Sequence, residues 1–566
     1  MLRKAGWLIA GMLLVIAAVA LYRELPRAFE SSRGEALVVA RAGGSVALDP
    51  AVVTDQESLR VAVNIFDTLV RSSVRAPSAT LFSGDAWAAG EDGFHWRFAM
   101  RRDAEAGAVT PGLAEAWAVS EDGLRWRFSL RRDVKFHDGT AFDAEAVVFN
   151  FKRWMHSSNP YHVGSFHYWS ASFGGFPGIV REVRALTRSV VEIELTEPYA
   201  LLLETLSLPA FGMASPDAIV TYNESFKQRP VGTGPFAFES WAEDGTVTLR
   251  RNPSYWEGAP RLERIEFRTV LDEGERLRGL AEGRFHIVEP IPEYYDGSLD
   301  DTPPYRVVTR PFFNVGYLAM NNQRAPLDSR AVREAVAHAM DREEMLRVAF
   351  RRSTRLASTF LPPSLWGYHE GIRSRRYDPT LARQLLRDAG YDGSVELTLL
   401  ATSTPRLYYG RPVELAYFIR DKLAAVGVKV RVNLQPWARA SQLAKAGEYD
   451  LFLAGWTGDI PDPDNFLYTM FHSNNTKQGL VTNYSFYMNP AMDSLLDNAR
   501  HSSSRDYRQT LYRNAQELLY SDVPALPLVH TSPQLGVHQR VRAYLPTMSG
   551  LDPLYGLSLS PAGGRP

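Results

Sequence analysis

The chain has 566 residues, which is too long for a single hydrophobic core, so two or three lobes are expected. Hydrophobic residues make up 45% and charged residues 22% of the chain, as in ordinary globular proteins. The net charge of −1 gives no reason to expect nucleic acid or an acidic partner, and the lack of cysteine excludes disulfides, Cys-based zinc sites and a lipid-modified N-terminal Cys.

The first 22 residues have the pattern of an export signal. Arg3 and Lys4 precede the apolar run WLIAGMLLVIAAVALY, which contains an Ala-x-Ala cleavage site ending at Ala20. The run is shorter than the roughly 20 residues that a comfortable membrane span needs, which favours cleavage over a retained anchor. We therefore expect a periplasmic protein, with 1–22 as signal peptide or membrane anchor and 23–35 as a linker.

Strand-like and helical patterns alternate from residue 36 onward. The segment 142–155 (FDAEAVVFNFKRWM) predicts a helix capped by Asp143, and 306–321 (RVVTRPFFNVGYLAMN) predicts a pair of strands. The sequence DSRAVREAVAHAMDREEMLRVAF predicts one long helix that begins at Asp328, and 378–391 predicts a further helix. Strands that alternate with helices in this way predict an α/β protein with mixed sheets.

Two neighbouring segments are copies of one another. The segments 86–103 (AWAAGEDGFHWRFAMRRD) and 116–133 (AWAVSEDGLRWRFSLRRD) align without a gap, with Trp126 opposite Trp96. Each contains an Asp-Gly turn before an alternating Trp-x-Phe strand, a pattern that predicts a β-hairpin. Because two copies are too few for a solenoid, we interpret them as a local duplication that adds strands to one lobe.

The segment 454–466 (AGWTGDIPDPDNF) places three carboxylates and two prolines directly behind a Gly-Trp pair. A calcium loop would need oxygen ligands at alternate positions and a glycine at the sixth, and Asp459, Asp462 and Asp464 do not have that register. A hydrolase could use Asp459 and Asp462 as an acid–base pair, but no nucleophile, oxyanion motif or metal-ligand set accompanies them. From the residues alone, an Asp-Pro-rich turn that caps nearby backbone is the default interpretation.

Several stretches, taken in chain order, resemble the family 5 extracellular solute-binding proteins, the periplasmic dipeptide- and oligopeptide-binding components of ABC importers. They are RDVKFHDGTAFDAEAVVFNFKR, RPVGTGPFAFESW, RNPSYWEG, YLAMNNQRAPLDSRAVREAVAHAMDRE and AGWTGDIPDPDNFLYTMF. The stretch SSNPYHVGSFHYW is similar to the dipeptide-binding and antimicrobial-peptide-uptake branches. The resemblance extends from about Ala36 to about Ser560. It implies a hinged, two-lobed α/β fold of the class II periplasmic-binding-protein type, with mixed sheets and an extra domain in the first lobe.

The resemblance also implies domain boundaries. Lobe 1 has a main domain and an accessory domain that carries the duplicated hairpin, and lobe 2 forms the rest. The expected ranges are 36–60, 190–270 and 527–566 for the main domain, 61–189 for the accessory domain, 271–526 for lobe 2, and hinge strands near 268–276 and 522–530.

Roles for individual residues follow from the same resemblance. In dipeptide-binding members, the Asp of the Gly-Trp-x-Gly-Asp block binds the peptide's α-ammonium, and an Arg in an upstream Thr-x-Arg-type segment binds the α-carboxylate. Those positions are Asp459 and Arg406 here. Gly455, Trp456 and Tyr408 are the candidate wall of the pocket. No metal-binding residue is implied, and the other two carboxylates of the Asp-Pro-rich turn are expected to brace the loop.

We therefore expect the substrate-binding protein of an ABC importer, which captures a short, dipeptide-like ligand between two lobes and delivers it to a membrane permease. A monomer is expected, without cofactor, nucleic-acid partner or catalysis. The alternative keeps the fold and changes the cargo to haem, a metal chelate, an oligosaccharide or an antimicrobial peptide. A membrane-anchored sensor or chaperone-like domain is a further alternative if the N-terminal segment is retained.

Overall fold

The structure is a computed structural model and describes residues 35–72, 86–89, 95–98, 109–291, 304–350, 354–391, 393, 395–477 and 481–561. The predicted export segment and nearly all of the linker lie outside the described residues. Within the described ranges, no helix combines the length and the apolar character that a membrane crossing requires.

The strands of the described ranges form three larger sheets and two small pairs. In chain order they are β1 Ala36–Arg41, β2 Val70–Ser72, β3 Ala86–Ala89, β4 His95–Phe98, β5 Val109–Pro111, β6 Ala114–Ser120, β7 Arg125–Leu130, β8 Val180–Thr187, β9 Val190–Leu195, β10 Phe236–Trp241, β11 Val247–Arg251, β12 Arg264–Thr269, β13 Ile287–Glu289, β14 Tyr305–Thr309, β15 Asn314–Met320, β16 Thr354–Leu356, β17 Glu396–Thr402, β18 Lys429–Gln435, β19 Leu451–Thr457, β20 Ala525–Thr531, β21 Gln534–His538, β22 Val541–Arg542 and β23 Ser558–Leu559.

The helices of the described ranges pack against these sheets. They are α1 Gln56–Ile65, α2 Ala144–Met155, α3 His167–Phe173, α4 Leu202–Leu206, α5 Pro216–Tyr222, α6 Glu273–Ala281, α7 Arg330–Ala339, α8 Arg342–Ala349, α9 Pro379–Asp388, α10 Pro412–Ala424, α11 Trp437–Lys445, α12 Asp464–Phe471, α13 Pro490–His501 and α14 Arg505–Asp522, with 3-10 helices at Pro209–Phe211, Asn223–Gln228 and Ser473–Thr476.

Two of the three larger sheets are mixed. The first sheet has the order β10-β11-β12-β1-β13-β21-β14, in which β12, β1 and β13 are parallel. The second has the order β16-β20-β15-β19-β17-β18, in which β18, β17 and β19 are parallel. The third, β3-β4-β6-β7-β9-β8, is antiparallel throughout. The predicted α/β class with mixed sheets is confirmed.

The chain crosses between the first and second sheets twice. It passes from β14 to β15 through 310–313 and returns from β20 to β21 through 532–533. The two crossings are bound to each other, because Arg310 N donates to Pro533 O at 2.9 Å and Ser532 Oγ donates to Arg310 O at 2.7 Å. The Arg310 side chain is buried and pairs with Glu289 and Asp552. These crossings separate lobe 1, which contains the first and third sheets, from lobe 2, which contains the second.

Several strands lie on the other side of the predicted boundaries. The predicted lobe 2 range 271–526 includes β13 and β14, which pair in the first sheet with β21. The range 190–270, predicted for the main domain, includes β9, which pairs with β7 and β8 in the third sheet. The crossings also differ from the predicted hinges at 268–276 and 522–530. The chain adds two more strands to the first sheet before it leaves lobe 1, and β20 runs to Thr531 before it returns.

One of three local predictions of helices and strands agrees with the structure. Asp143 caps α2 as predicted, because its side chain accepts from Ala146 N at 3.2 Å. The predicted long helix is wrong: α7 ends at Ala339, and α8 begins after Asp341, whose side chain caps it by accepting from Glu344 N. The predicted strand pair of 306–321 is two strands in different sheets, because the chain crosses between the lobes there.

The duplicated segment forms neighbouring parts of the third sheet. The strand pairs β3–β4 and β6–β7 are both antiparallel, and β4 pairs with β6 so that Trp96 lies opposite Ser120. The turn of the first copy lies outside the described residues. The strands of both copies therefore lie side by side in one sheet.

The lobes are in direct contact away from the crossings. Ile460, which follows β19 in lobe 2, is buried in the hydrophobic core that lies beneath the third sheet of lobe 1. Ala200 N donates to Arg500 O, at the end of α13, at 2.9 Å. The segment that carries the Asp-Pro-rich turn therefore lies at the interface between the lobes.

Candidate ligand-binding site

The candidate residues lie at one edge of the second sheet. Because β17, β18 and β19 are parallel, the loops that follow them emerge at the same edge. Arg406 follows β17, Trp437 follows β18 and Asp459 follows β19. β15 is antiparallel to both β19 and β20, so the two chain crossings are at this edge as well. The sheet order thus brings together loops that are distant in sequence and directs them toward lobe 1.

Asp459 is held by its own loop and contacted from the other lobe. Its backbone N–H donates to Asn465 Oδ1 at 2.8 Å, and Trp456 Nε1 donates to the same oxygen at 3.3 Å. Tyr168 of α3, in lobe 1, donates its hydroxyl to Asp459 Oδ1 at 3.1 Å. Within the described residues, no Lys, Arg or His nitrogen forms an ion pair with Asp459.

The environment of Asp459 favours its protonated form. Burial raises the pKa of its carboxyl to about 6, against the weaker opposing effects of the hydrogen bonds from Tyr168 and Asn465. Burial and the adjacent carboxylate hold the pKa of Tyr168 well above its usual value, so its hydroxyl keeps the proton that it donates. A cation placed beside Asp459 would stabilise the ionised carboxylate and lower this pKa.

Arg406 is a positive group held in place by its backbone. Its backbone N–H donates to Tyr409 O, and its carbonyl oxygen accepts from Tyr409 N, both at 2.9 Å. Thr531 Oγ1 fixes the same loop by donating to Leu407 O at 2.7 Å. The guanidinium lies 4.2 Å from the centre of the Trp437 indole, within cation–π range. In the part of the chain that the structure describes, it has no carboxylate partner, and its buried Nε has no hydrogen-bond partner.

The predicted wall residues Tyr408, Gly455 and Trp456 differ in their burial and contacts. Tyr408 is buried, and its ring lies against Gly455, where an added Cβ would come within 2.3 Å of Tyr408 Cδ2. Glycine is required there because no side chain fits between the strand and the ring. Trp456 is half-buried at the edge of the sheet. These contacts connect Arg406, whose guanidinium lies 6.0 Å from the Tyr408 ring, to the strand that leads to Asp459.

The other two carboxylates of the Asp-Pro-rich turn brace the loop, as predicted. Asp462 Oδ1 accepts from Arg508 Nη2 at 2.8 Å. Asp464 accepts from Arg500 Nε at 2.9 Å and from Arg500 Nη2 at 3.0 Å. Both carboxylates are buried. Arg500 of α13 and Arg508 of α14 balance their negative charge. Among the described residues, no group of three or more His, Cys, Asp or Glu side chains is arranged to hold a metal ion.

Four residues that shape the site were not predicted from the sequence: Tyr168, Trp437, Asn465 and Thr531. Tyr168 is 291 positions from Asp459 in the chain, and no local pattern relates the two. Trp437 follows β18, which is parallel to β17, so the sheet places it near Arg406, but only once the strand order is known. Asn465 belongs to the Asp-Pro-rich turn, where a side-chain oxygen that accepts backbone N–H groups is common.

Comparison with known proteins identifies the family. The family described as bacterial extracellular solute-binding proteins, family 5 Middle, matches residues 108–478. The chain belongs to this family. The family 5 relationship predicted from the sequence is confirmed.

Family 5 relatives match along nearly the whole chain. The dipeptide-binding protein of Escherichia coli is 31% identical over 98% of this chain and 97% of its own length. Heme-binding protein A of Haemophilus influenzae is 29% identical over 94% of this chain and 93% of its own length. Family 5 thus includes similar proteins that are named for different cargo.

A solved structure of a periplasmic binding protein has the same fold. The periplasmic binding protein DppA of Helicobacter pylori, in complex with the peptide STSA, superposes with a TM-score of 0.78 at 28% identity. The match covers 93% of this chain and 98% of that protein. The predicted two-lobed periplasmic-binding-protein fold is therefore confirmed.

Proposed function

We propose that this chain is the substrate-binding protein of an ABC importer and that it captures short, dipeptide-sized peptides between its lobes. The observation that carries the proposal is a pair of opposite charges without ionic partners in the described chain, Asp459 and Arg406, on loops at the edge of lobe 2 that faces lobe 1. A peptide with free termini supplies the two complementary charges. The relatives named as dipeptide-binding proteins support the same ligand class.

The chemistry of each group suits one peptide terminus. The planar guanidinium of Arg406 can bind a carboxylate through two parallel hydrogen bonds, and its stacking on Trp437 limits the orientations it must lose. The carboxylate of Asp459 can accept from an α-ammonium. Because both groups are fixed by their loops, their separation selects peptide length.

Tyr168 gives lobe 1 a part in the same site. Its hydroxyl donates to Asp459 Oδ1, so a ligand ammonium on the other oxygen would complete a carboxylate held from both lobes. A ligand stabilises the closed arrangement only if it interacts more strongly with that arrangement than with the open one. Contacts to Asp459, Arg406 and lobe 1 together would supply that difference and drive hinge closure.

We further propose that the protein catalyses nothing, works as a periplasmic monomer and docks on a membrane permease. Its membership of a solute-binding family supports a binding role. Asp462, the partner that an acid–base pair with Asp459 would need, is instead paired with Arg508. A catalytic use of the Asp-Pro-rich turn would require that buried ion pair to break.

Ligand identity can be tested directly on the purified full chain. We expect mass spectrometry of the small molecules released by denaturation to detect dipeptides, and calorimetry to show saturable binding of a dipeptide mixture. Haem is the appropriate comparison, because a relative 29% identical to this chain is named for haem. Saturable haem binding together with no dipeptide binding would overturn the proposal in favour of the alternative cargo.

Dipeptide affinity should decrease at acidic pH. The raised pKa of about 6 means that Asp459 is mostly protonated at pH 5 and mostly ionised at pH 7 in the ligand-free protein. Since the ammonium requires the ionised form, we expect affinity to be about tenfold weaker at pH 5 than at pH 7. The termini of a dipeptide, with pKa values near 3.5 and 8, stay charged across this range.

Calorimetry at pH 5, 6 and 7 measures this effect, and Asp459→Asn is the control. The variant keeps His167, which precedes Tyr168 in the chain and whose pKa is lowered by burial, so any residual slope reports other groups. A wild-type affinity that does not change between pH 5 and pH 7 would contradict the role given to Asp459.

A further inference from the structure

Lobe 2 contains a cavity far from the site described above. The space open to the centre of a water-sized molecule is about 20 Å³, and the cavity opens to solvent. Its lining comes from the start of α8, the segments 358–360 and 373–375, the second half of α14 and the first residues of β20. Leu526 lines it, whereas Thr531 of the same strand is at the cleft edge, five residues or roughly 16 Å away. The cavity is therefore at the end of the second sheet that faces away from lobe 1.

One wall of the cavity is a buried arginine without a counter-ion. Arg342 is 5% exposed, and its Nη2 donates to the carbonyl oxygens of Ala357 and Leu528. Its Nε has no hydrogen-bond partner. Within the described residues, the Arg342 guanidinium forms no ion pair. Burial lowers the pKa of Arg342 to about 10, opposed only by the weaker effect of Glu343. A buried guanidinium of this kind is costly unless an anion accompanies it.

Two more arginines line the mouth. The Arg375 guanidinium lies 4.3 Å from the centre of the Tyr520 ring, and its Nη2 donates to Tyr520 O at 2.6 Å. The carboxylate of Glu334 is 3.9 Å from it, at the outer limit of an ion pair. Arg373 is exposed and forms no ion pair in the described chain. None of the lining residues is Asp or Glu, so the cavity concentrates positive charge.

Hydroxyl groups line the same cavity, at Ser358, Thr359 and Ser374. Thr359 Oγ1 already donates to Leu361 O at 3.1 Å and Ser358 Oγ shares a hydrogen bond with Tyr368 OH at 3.3 Å, so Ser374 is the hydroxyl that can add a donor for an anion. Guanidinium and hydroxyl groups are the donors that bind phosphate, sulfate and carboxylate oxygens in proteins. Apolar walls from α14 and β20 reduce screening by water and strengthen each of these charge interactions.

We propose that this cavity is a second ligand site, which binds a small oxyanion of the phosphate, sulfate or carboxylate class. The oxyanion accepts from the buried Arg342 and from Arg373 and Arg375 at the mouth. It neutralises charge that the protein itself leaves unbalanced. Because the cavity is at the opposite end of β20 from the cleft, anion binding is independent of the ligand in the cleft and of the function proposed above.

Calorimetry and thermal melting of the full chain test this site with sodium sulfate, sodium phosphate and sodium acetate, each against sodium chloride at matched ionic strength. We expect a saturable rise in melting temperature and a measurable Kd for at least one oxyanion. The double variant Arg373→Gln/Arg375→Gln should weaken that Kd roughly tenfold or more. The double variant Arg347→Gln/Arg387→Gln is the control, because it removes two exposed arginines of lobe 2 that do not line the cavity.

The three anions distinguish the sources of the ligand. Binding of sulfate and phosphate alone indicates an inorganic oxyanion, and binding of acetate indicates a carboxylate. The single variant Arg373→Gln, at an exposed position, gives the same measurement if the double variant folds poorly. A rise that chloride reproduces, or an oxyanion affinity that is equal in the site and control variants, would show an ionic-strength effect only and overturn the proposal. Dipeptide affinity should be unchanged in every one of these variants.

Discussion

Replacing Asp459 with asparagine should weaken dipeptide binding about 30-fold or more. The substitution keeps the shape of the side chain and one acceptor oxygen but removes the charge that faces the ammonium. Truncating one member of a buried, hydrogen-bonded charge pair costs about 2–5 kcal/mol, much of it because the other charge is left unpaired. A loss of about 2 kcal/mol corresponds to about 30-fold in Kd.

The same loop supplies a matched control. Asp462→Asn makes an identical chemical change three residues away, but it removes the partner of the buried Arg508. We expect Asp462→Asn to lower the melting temperature of the ligand-free protein, since breaking a buried ion pair costs about 3–5 kcal/mol. Asp459→Asn should leave that temperature nearly unchanged, because its carboxylate forms no ion pair in the described chain.

Calorimetric titration with a free and an N-acetylated dipeptide separates charge from shape. Acetylation removes the ammonium, so wild type should bind the acetylated dipeptide poorly, and Asp459→Asn should discriminate less between the two. If Asp459→Asn binds the free dipeptide as tightly as wild type does, the assignment is wrong. If it instead lowers the melting temperature of the ligand-free protein, Asp459 serves mainly to cap its loop.

The sequence predicted those parts of the site that depend on local order. The family resemblance singled out Asp459 and Arg406, which follow β19 and β17, and the parallel pairing of these strands brings the two loops to one edge. The bracing role of Asp462 and Asp464 could also be anticipated, because prolines and short acidic side chains stabilise turns. The arginines that neutralise them, on α13 and α14, could not, since this pairing depends on how distant helices pack.

Other features of the fold and the site depend on contacts between distant residues, which no local sequence pattern indicates. The hydroxyl of Tyr168 reaches Asp459 only because α3 of lobe 1 lies against the loop after β19. The strands β13 and β14 are short, and their partner β21 is more than 220 residues away, so the sequence alone gave the wrong position for the lobe crossing. The break before α8 is a subtler case. Asp341 fits a helix surface as well as a cap, and only the backbone shows that its side chain accepts from Glu344 N.

Replacing Arg406 with glutamine should weaken dipeptide binding about as strongly as Asp459→Asn does. The glutamine amide can donate to one carboxylate oxygen, but it loses the charge and the second parallel hydrogen bond. The loop should keep its shape, because the reciprocal bonds with Tyr409 and the bond from Thr531 to Leu407 use backbone atoms of the loop. The melting temperature of the ligand-free protein should therefore be nearly unchanged.

An exposed arginine on the neighbouring strand provides the control. Arg431 of β18 donates to Thr398 Oγ1 at 3.1 Å, so Arg431→Gln removes the same charge from lobe 2 at a position outside the proposed site. Its dipeptide affinity should equal that of wild type. Equal losses in Arg431→Gln and Arg406→Gln would indicate that the net charge of lobe 2, rather than a specific contact, attracts the ligand.

A C-terminally amidated dipeptide tests which end of the ligand Arg406 binds. Amidation removes the carboxylate, so wild type should bind the amide poorly, and Arg406→Gln should bind the amide and the free acid with similar affinity. Asp459→Asn should still discriminate between the amide and the acid, because it leaves the other end of the site intact. The double variant Asp459→Asn/Arg406→Gln should bind the dipeptide with both termini free more weakly than either single variant does. If Arg406→Gln still prefers the free acid as strongly as wild type does, the carboxylate is bound elsewhere, and the two-ended site is wrong even where the Asp459 result holds.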